Sequence, residues 1–173
     1  MDDMITQVEP MIPALRRYAR SLCHDVETAD DVVQDCLEKV VANWNVRRAD
    51  NARSWVFSIL HNLAVNKLRK RSRWGRSVPL TDLPESEQSQ SPVQDDTLFS
   101  KEVLAAMEGL PEDQRSILLL VSVEGLTYSE TAEVLSVPIG TVMSRLSRAR
   151  ERLRAQLEKP RVARGRPSLI WVK

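Results

Sequence analysis

The sequence has few of the residues that cross-link a small fold or carry it through a membrane. Among 173 residues there are only two cysteines, Cys23 and Cys36, and five glycines. The cysteines form no CxxC pair and match no usual zinc-ligand spacing, so we interpret them as reduced thiols and predict no metal site. Residues 1–13 lack the basic start and apolar run of a signal peptide. No apolar stretch is long enough to span a bilayer, so we expect a cytoplasmic protein without membrane insertion.

The residue groups that carry covalent chemistry are also missing. The sequence has no Gly-rich phosphate loop, no cluster of metal-ligand carboxylates and no Ser, His and Asp constellation. Asp30, Asp31 and Asp35 are grouped, but helical spacing places them on one exposed face, whose plain interpretation is a solvated or protein-docking surface. An enzyme such as a nuclease is therefore unsupported, and we expect no catalytic residue, no cofactor and no small-molecule substrate.

Charge is nearly balanced in total but unevenly distributed along the chain. The net charge is +1. Residues 51–81 contain seven Lys or Arg and no acid, residues 82–96 contain five acids and no base, and residues 159–173 contain five bases and no acid. Such segregation predicts that the basic segments bind a polyanion.

Apolar residues recur with helical period and no segment alternates with a period of two, so the sequence predicts an all-α fold. In the first half, the spacing predicts helices over residues 11–22, 28–44 and 52–71. The apolar stripe of the second helix comprises Ala29, Val32, Val33, Cys36, Leu37, Val40, Val41 and Trp44. That of the third comprises Trp55, Val56, Ile59, Leu60, Leu63, Ala64 and Leu68.

Residues 72–97 divide the chain into two small helical domains. This segment contains Pro79, Pro84 and Pro92 and has no helical period, so we interpret it as a flexible linker. Residues beyond Pro160 also lack a period. The pattern predicts a first domain over residues 1–74, an acidic linker over 75–97, a second domain over 98–159 and a basic tail over 160–173.

Helix-terminating signals organise the second domain. The first helix is expected over residues 98–108, and Pro111 is expected in the first turn of the next, which Gly125 would end. Thr127 and Glu130 have the spacing of a capping box. They predict a short helix over residues 128–135, followed by a turn at Ser136–Pro138 and a long helix over residues 139–158.

A short helix, a tight turn and a longer basic helix are typical of a helix-turn-helix. In the long helix, the positions expected in the core are Val142, Leu146, Ala149 and Leu153. Gly140, Ser144 and Ser147 lie opposite, where small side chains suit entry into a DNA major groove. Arg145, Arg150, Arg152 and Arg154 are candidates for phosphate contacts. The alternative is an amphipathic helix whose basic face is only solvated.

The motifs resemble two domains of the sigma-70 family of RNA polymerase sigma factors. The sequences from Leu110 to Leu118, from Glu124 to Ala132 and from Pro138 to Arg150 resemble the sigma-4 domain. Ala29 to Asp35 resembles the start of the core-binding helix of the sigma-2 domain, and Trp55 to Asn62 resembles the promoter-melting helix that follows. The short linker resembles that of the extracytoplasmic-function (ECF) group. Arg16–Arg20 and His61–Asn66 resemble its general-stress branch.

The resemblance implies a transcription initiation factor with three working surfaces and no covalent chemistry. The clamp helices of the polymerase core β′ subunit would contact Asp30, Asp31, Gln34, Asp35 and Glu38. The −10 promoter element would be opened by Asn62, Asn66, Lys67, Arg69, Lys70, Arg71 and Arg73. The −35 element would be read by Thr141, Met143, Ser144, Arg145, Ser147 and Arg148. Related factors use the loop corresponding to residues 44–50 to trap a flipped base, and an anti-sigma factor is the usual regulator.

Two positions depart from the usual pattern of the family. Met143 stands where related factors often carry Arg, and Asn66 stands where many carry Asp. The alternative function is a dimeric helix-turn-helix regulator that binds operators. It explains the second half, but it does not predict the basic and aromatic helix of the first half.

Overall fold

The computed structural model describes residues 2–23, 25–46, 51–75, 103 and 105–158, and their regular structure is helical, which confirms the all-α prediction. The α-helices are α1 Asp2–Val8, α2 Ile12–Cys23, α3 Val26–Asn43, α4 Ala52–Gly75, α5 Glu112–Leu118, α6 Tyr128–Leu135 and α7 Ile139–Leu157. Short 3-10 turns follow α1 and α3, at Glu9–Met11 and Trp44–Val46. The predicted linker, the basic tail and most of the predicted helix at 98–108 lie outside the described residues.

The first half begins with a helix that the sequence pattern did not predict. α1 is followed by the short 3-10 segment Glu9–Met11, which contains Pro10, and α2 then starts at Ile12. Proline interrupts the α-helical hydrogen bonds here without ending the helical path, because it fits the first turn of a helix. α3 begins at Val26, two residues earlier than predicted, because the Asp25 carboxylate accepts a hydrogen bond from the Thr28 amide at 3.1 Å.

The apolar stripe of α3 packs against α2 and α4, with one exception. Ala29, Val32, Cys36 and Val40 are almost fully buried, as predicted. Val41 is 61% exposed, so its assignment to the core was wrong. At 100° per residue it lies beyond the edge of the buried stripe, nearest to Asp30 and Gln34.

α4 is buried on more than one side. Val56, Leu60 and Ala64 are buried as predicted, but Phe57 and Val65 are buried as well. α4 packs against α2 and α3 within the first half and against α6 of the second half. Its buried surface therefore extends beyond the single stripe that an isolated first domain would need.

The second half is assembled around α5, α6 and α7. Pro111 is the N-cap of α5 and not a first-turn residue, which corrects the prediction by one position. After α5 the chain widens into a π-helical turn, Leu119–Val123, closed by a 2.8 Å hydrogen bond from the Glu124 amide to the Leu119 carbonyl. Gly125 then ends the helix at φ +68°, as predicted, in a conformation that disfavours residues with a Cβ.

The helix-turn-helix geometry is confirmed at its start, turn and core. The Thr127 hydroxyl accepts from the Glu130 amide at 3.2 Å, and the Glu130 carboxylate accepts from the Thr127 amide at 2.7 Å, forming a capping box. Ser136 takes the left-handed conformation that reverses the chain. On α7, the predicted core positions Val142, Leu146 and Ala149 are buried, and Leu153 packs against them.

The two halves share one hydrophobic core, which runs from Val8 to Ala149. Cys23 and Cys36 are free and buried within it. Burial raises the pKa of both thiols, that of Cys36 to about 12. Within the described ranges, no helix combines the length and apolarity needed to cross a bilayer, and no three His, Cys, Asp or Glu side chains come together as metal ligands.

Candidate nucleic-acid and protein interfaces

The acidic face of α3 adjoins an apolar groove between α2 and α3. All five predicted polar positions on α3 are exposed, namely Asp30, Asp31, Gln34, Asp35 and Glu38. Asp30, Gln34 and Glu38 line the groove, together with Leu37 and the exposed Val41. An exposed apolar side chain beside carboxylates is typical of a protein-docking surface. The groove, and not the acids alone, is the feature that distinguishes this face from a solvated one.

The five polar residues do not form one uniform surface. Asp30 pairs with Arg20 of α2 at 3.3 Å, and the Gln34 amide donates to Glu38 at 3.2 Å. Asp31 points toward α4 instead, where Lys67 Nζ lies 2.9 Å from its carboxylate. Exposed pairs of this kind contribute at most about 1 kcal/mol each, so they orient the side chains without locking them.

The predicted DNA-binding residues of α4 lie along its exposed side. Asn62 and Asn66 are exposed one turn apart, so the exposed position of Asn62 argues against its serving a buried backbone group. Lys67 is partly buried, and Arg69, Lys70 and Arg71 are exposed. Arg71 Nη1 lies 3.8 Å from Asp25, so two of the cations on this helix face acids of α3 and its cap.

Two predicted features of this region fall outside the described side chains. Arg73 belongs to α4, but its side chain is outside the described set. Of the predicted base-trapping loop, residues 47–50 also lie outside it. Trp44, just before this loop, packs edge-on against Trp55 with ring centroids 6.1 Å apart, so Trp55 packs against the core as predicted.

The side of α7 that is predicted to read DNA is open to solvent. Met143, Ser144, Ser147 and Arg148 are exposed, and among the described residues none has an atom within 4 Å of the position that a Cβ on Gly140 would take. Ser144 Oγ donates to the Thr141 carbonyl at 3.1 Å and keeps its lone pairs for other donors. Arg145 lies to one side, where its Nε is 3.6 Å from Asp113, and Thr141 is partly buried. The helix thus presents small hydroxyls and Arg148 along its N-terminal half.

The contact between the halves is polar at the start of α4. The guanidinium of Arg17 donates two hydrogen bonds to the Glu124 carboxylate, at 2.9 and 2.7 Å, and this pairing raises the pKa of Arg17. Arg53 donates to the Glu124 carbonyl, and Asn51 donates to the Glu130 carboxylate. Ser54 Oγ donates to Glu133 at 3.1 Å. The Glu124 carboxylate is fully buried beneath these contacts.

α2, which carries Tyr18, also contacts α5 of the second half. The Tyr18 hydroxyl lies 3.0 Å from Nδ1 of His61 on α4. Burial lowers the pKa of His61 to about 4, with the nearby Arg69 charge acting in the same direction. Burial also raises the pKa of Tyr18.

Comparisons with known proteins identify the family. Residues 100–153 match the family model Sigma-70, region 4, and residues 8–61 match the Sigma2 domain of PhyR. The ECF RNA polymerase sigma factor EcfG of Rhodopseudomonas palustris (strain TIE-1) is 35% identical over 158 residues, covering 90% of this chain and 86% of the relative. The chain belongs to the ECF family of RNA polymerase sigma factors. It is therefore a transcription initiation factor.

Solved structures of sigma factors share this fold. The sigma factor RpoE from Bartonella quintana, in complex with the anti-sigma factor NepR, matches with a TM-score of 0.74 at 30% identity, over 93% of this chain and 100% of that chain. CnrH, in complex with the cytosolic domain of CnrY, matches with a TM-score of 0.64 at 26% identity, over 89% of this chain and 86% of that chain. The predicted order of a sigma-2 domain followed by a sigma-4 domain is confirmed.

Sequence reasoning missed the polar contact that joins the halves of this sigma factor. Arg17, Asn51, Arg53 and Ser54 were not among the predicted functional residues. The available signal was weak, because Arg53 precedes the apolar stripe of α4 like any solvated first-turn residue. Glu124 could be recognised only as the residue before Gly125, and its burial depends on the tertiary fold.

Proposed function

We propose that this sigma factor binds the polymerase core through the groove between α2 and α3. Asp30, Gln34 and Glu38 line the groove, and Asp31 and Asp35 extend the polar surface beyond it. The observation that carries this assignment is Val41, which is 61% exposed within the groove. Apolar contact there would supply affinity, and the flanking carboxylates would supply specificity for a basic partner.

A pull-down with polymerase core tests this surface. Gln34→Ala and Val41→Asp should weaken core binding without lowering the melting temperature, because both side chains are exposed. Asp35→Ala should also weaken it if the polar surface beyond the groove takes part. Lys39→Ala is the matched control, since Lys39 is exposed on α3 about half a turn away from the groove. Unchanged core affinity in all three test variants would contradict the assignment.

The exposed side of α4 is proposed to open and hold the −10 element. Asn62 and Asn66 would form hydrogen bonds with unstacked bases. The cations that follow would hold the backbone: Lys67, Arg69, Lys70, Arg71 and Arg73. Asn62→Ala should slow open-complex formation while −35 binding and core binding are retained. Permanganate footprinting of promoter thymines measures this, and normal reactivity would exclude the role of Asn62.

The exposed N-terminal end of α7 is proposed to read the −35 element. Ser144, Ser147 and Arg148 would contact base edges, and Thr141 and Arg145 would lie nearer to phosphates. Met143 offers only an apolar contact at its position. A run-off transcription assay with polymerase core tests the function as a whole, because a dimeric repressor would start no transcripts.

The partners, compartment and boundaries follow from this function. We propose a cytoplasmic protein that does no covalent chemistry, with working units over residues 1–74 and 98–159, a linker over 75–97 and a tail over 160–173.

An anti-sigma factor is proposed as regulator, supported by the NepR complex of the similar sigma factor RpoE. A general-stress role is supported by the likeness to EcfG and to the Sigma2 domain of PhyR. Co-purification of a small inhibitory protein with the native chain would test the regulator.

A further inference from the structure

Two large apolar side chains are exposed next to each other at the start of α7. Ile139 is 50% exposed and Met143 is 53% exposed. Side chains four residues apart on a helix are neighbours on its surface, so these two form one patch, which we call the apolar pair. Single exposed apolar residues are common on protein surfaces, but a pair of them beside polar reading residues is typical of a binding surface.

The start of the helix does not need the apolar pair for its own stability. Pro138 is the N-cap of α7, so Val137 and Val142 occupy the two positions that form a hydrophobic staple at a helix start. Val142 is fully buried, and Val137 packs against the core. The apolar side chains that fix this turn are therefore in place without Ile139 and Met143, and the exposure of these two needs another explanation.

The apolar pair borders the side of α7 that is predicted to read DNA. At about 100° per residue, Met143 lies between the buried Val142 and the exposed Ser144. Near the N-terminal end of the helix, the middle of the exposed side carries a glycine and small hydroxyls, at Gly140, Ser144 and Ser147. Such small side chains let a helix approach base edges closely in a major groove. The longer side chains of the apolar pair would then stand against the bases at one edge of the helix.

Thymine is the base that matches an apolar side chain in the major groove. Its 5-methyl group is the apolar group that base pairs present there, whereas the other base edges present hydrogen-bond donors and acceptors. An apolar side chain against those edges would separate them from water without replacing the lost hydrogen bonds. Ile139 and Met143 are about 6 Å apart along the helix axis, and stacked bases are about 3.4 Å apart. The apolar pair can therefore meet two thymines that lie at most about two base pairs apart.

We propose that the apolar pair is a specificity determinant of this sigma factor, which recognises the methyl groups of one or two thymines in the −35 element. Met143 makes this contact at a position where related factors often carry Arg, a residue that favours guanine instead. Burying one methyl group strengthens binding about fourfold. The inference rests on the proposed role of α7 in reading the −35 element and adds the base that part of this surface selects.

The test uses holoenzyme reconstituted from polymerase core and the full-length chain. A promoter found by run-off transcription is randomised at its −35 element only, and the sequences that the holoenzyme binds are selected. Each thymine of the selected element is then replaced in turn by deoxyuridine, which lacks the 5-methyl group and keeps every hydrogen-bonding group. In competition binding, the wild type should lose about fourfold in affinity at one or two thymines, at most about two base pairs apart.

Variants of the apolar pair assign each methyl contact to a side chain. At each such thymine, Met143→Ala or Ile139→Ala should remove the difference between thymine and deoxyuridine. Met143→Leu should keep it, because leucine preserves an apolar contact of similar size. Arg148→Ala is the matched control on the same exposed side, and it should lower the affinity while the thymine-to-deoxyuridine ratio stays unchanged. Circular dichroism melts should match the wild type, since all three side chains are exposed.

The outcomes separate this inference from the proposed function. A selected −35 element without thymine, no loss with deoxyuridine, or an unchanged ratio in both alanine variants overturns the inference. Weaker core binding by the alanine variants at unchanged ratios also overturns it and makes the apolar pair a protein contact. If the holoenzyme binds a scrambled −35 element as tightly as the selected one, the proposed role of α7 fails as well. A loss on scrambling without any effect of the methyl groups keeps that role and removes only the apolar pair from it.

Discussion

Acid should lower the free energy of unfolding of this protein through protonation of His61. Its imidazole lies 3.0 Å from the Tyr18 hydroxyl, and burial lowers its pKa from 6.5 to about 4 in the folded chain. In the unfolded chain the pKa returns to about 6.5. At a pH between these two pKa values, His61 is mostly protonated in the unfolded state and mostly neutral in the folded state. The stability contributed by neutral His61 is therefore fully present above about pH 6.5 and is lost as the pH falls toward 4.

The two pKa values set the size of this effect. Integrating the difference in proton binding from about pH 7.5 to about pH 5 gives a loss of about 2 kcal/mol in the free energy of unfolding. For a chain of this size that corresponds to a fall of about 4–8 °C in Tm. Nearby Arg69 acts in the same direction as burial, so high salt should reduce the loss by only the smaller, electrostatic part.

The assay is urea unfolding followed by circular dichroism at several pH values, for the wild type and for His61→Gln. Gln offers Tyr18 an acceptor and does not titrate. All other titratable groups are common to the two proteins, so the difference between the two pH profiles isolates His61. The wild type should lose about 2 kcal/mol more than the variant by about pH 5. Parallel profiles would refute the reasoning, because His61 would then take up its proton equally in both states.

Three further substitutions test the fold and the reading surface. Thr127→Ala removes the oxygen that accepts from the Glu130 amide and should cost about 1 kcal/mol in thermal unfolding, with recovery in Thr127→Ser. Arg148→Ala should relax the preference at one or two −35 positions by about 1–3 kcal/mol, measured by binding to a set of single-base variants; an equal loss for all sequences would make it a phosphate contact only. Phe57→Ala should cost about 3–5 kcal/mol, because the ring is fully buried and meets Tyr18 edge-on at 5.7 Å. A melting temperature close to wild type would contradict that packing.

Local signals predicted the second half of the molecule well. The capping box at Thr127 and Glu130, the stop at Gly125 and the buried positions of α7 follow from short-range chemistry, in which a few neighbouring residues decide the backbone. The same holds for the exposed side of α4, because Asn62 and Asn66 lie away from the apolar stripe. Their proposed contacts with DNA rest on the family resemblance and not on periodicity.

Features that depend on distant contacts were missed. Phe57 and Val65 are buried although they lie outside the predicted stripe of α4. Phe57 packs edge-on against Tyr18 of α2, and α4 also contacts α6 of the second half. Val41 has the right spacing for a core residue but lines the groove, where its side chain remains exposed. The burial of Glu124 depends on an arginine more than a hundred positions earlier in the chain. Helical periodicity does not identify which partner covers a given face.

Because both thiols are buried, the native chain should react very slowly with maleimide dyes. Alkylation requires a thiolate that the reagent can reach, and both sulfurs are inside the core with pKa values raised by burial. Cys36 is held further by its contact with the Val56 carbonyl at 3.7 Å. A pair of cysteines introduced at exposed positions, such as Lys39 on α3 and Arg150 on α7, would therefore accept a donor and an acceptor fluorophore without removal of the natural ones. Single-molecule energy transfer between them would follow the separation of the halves directly, in the otherwise unaltered protein.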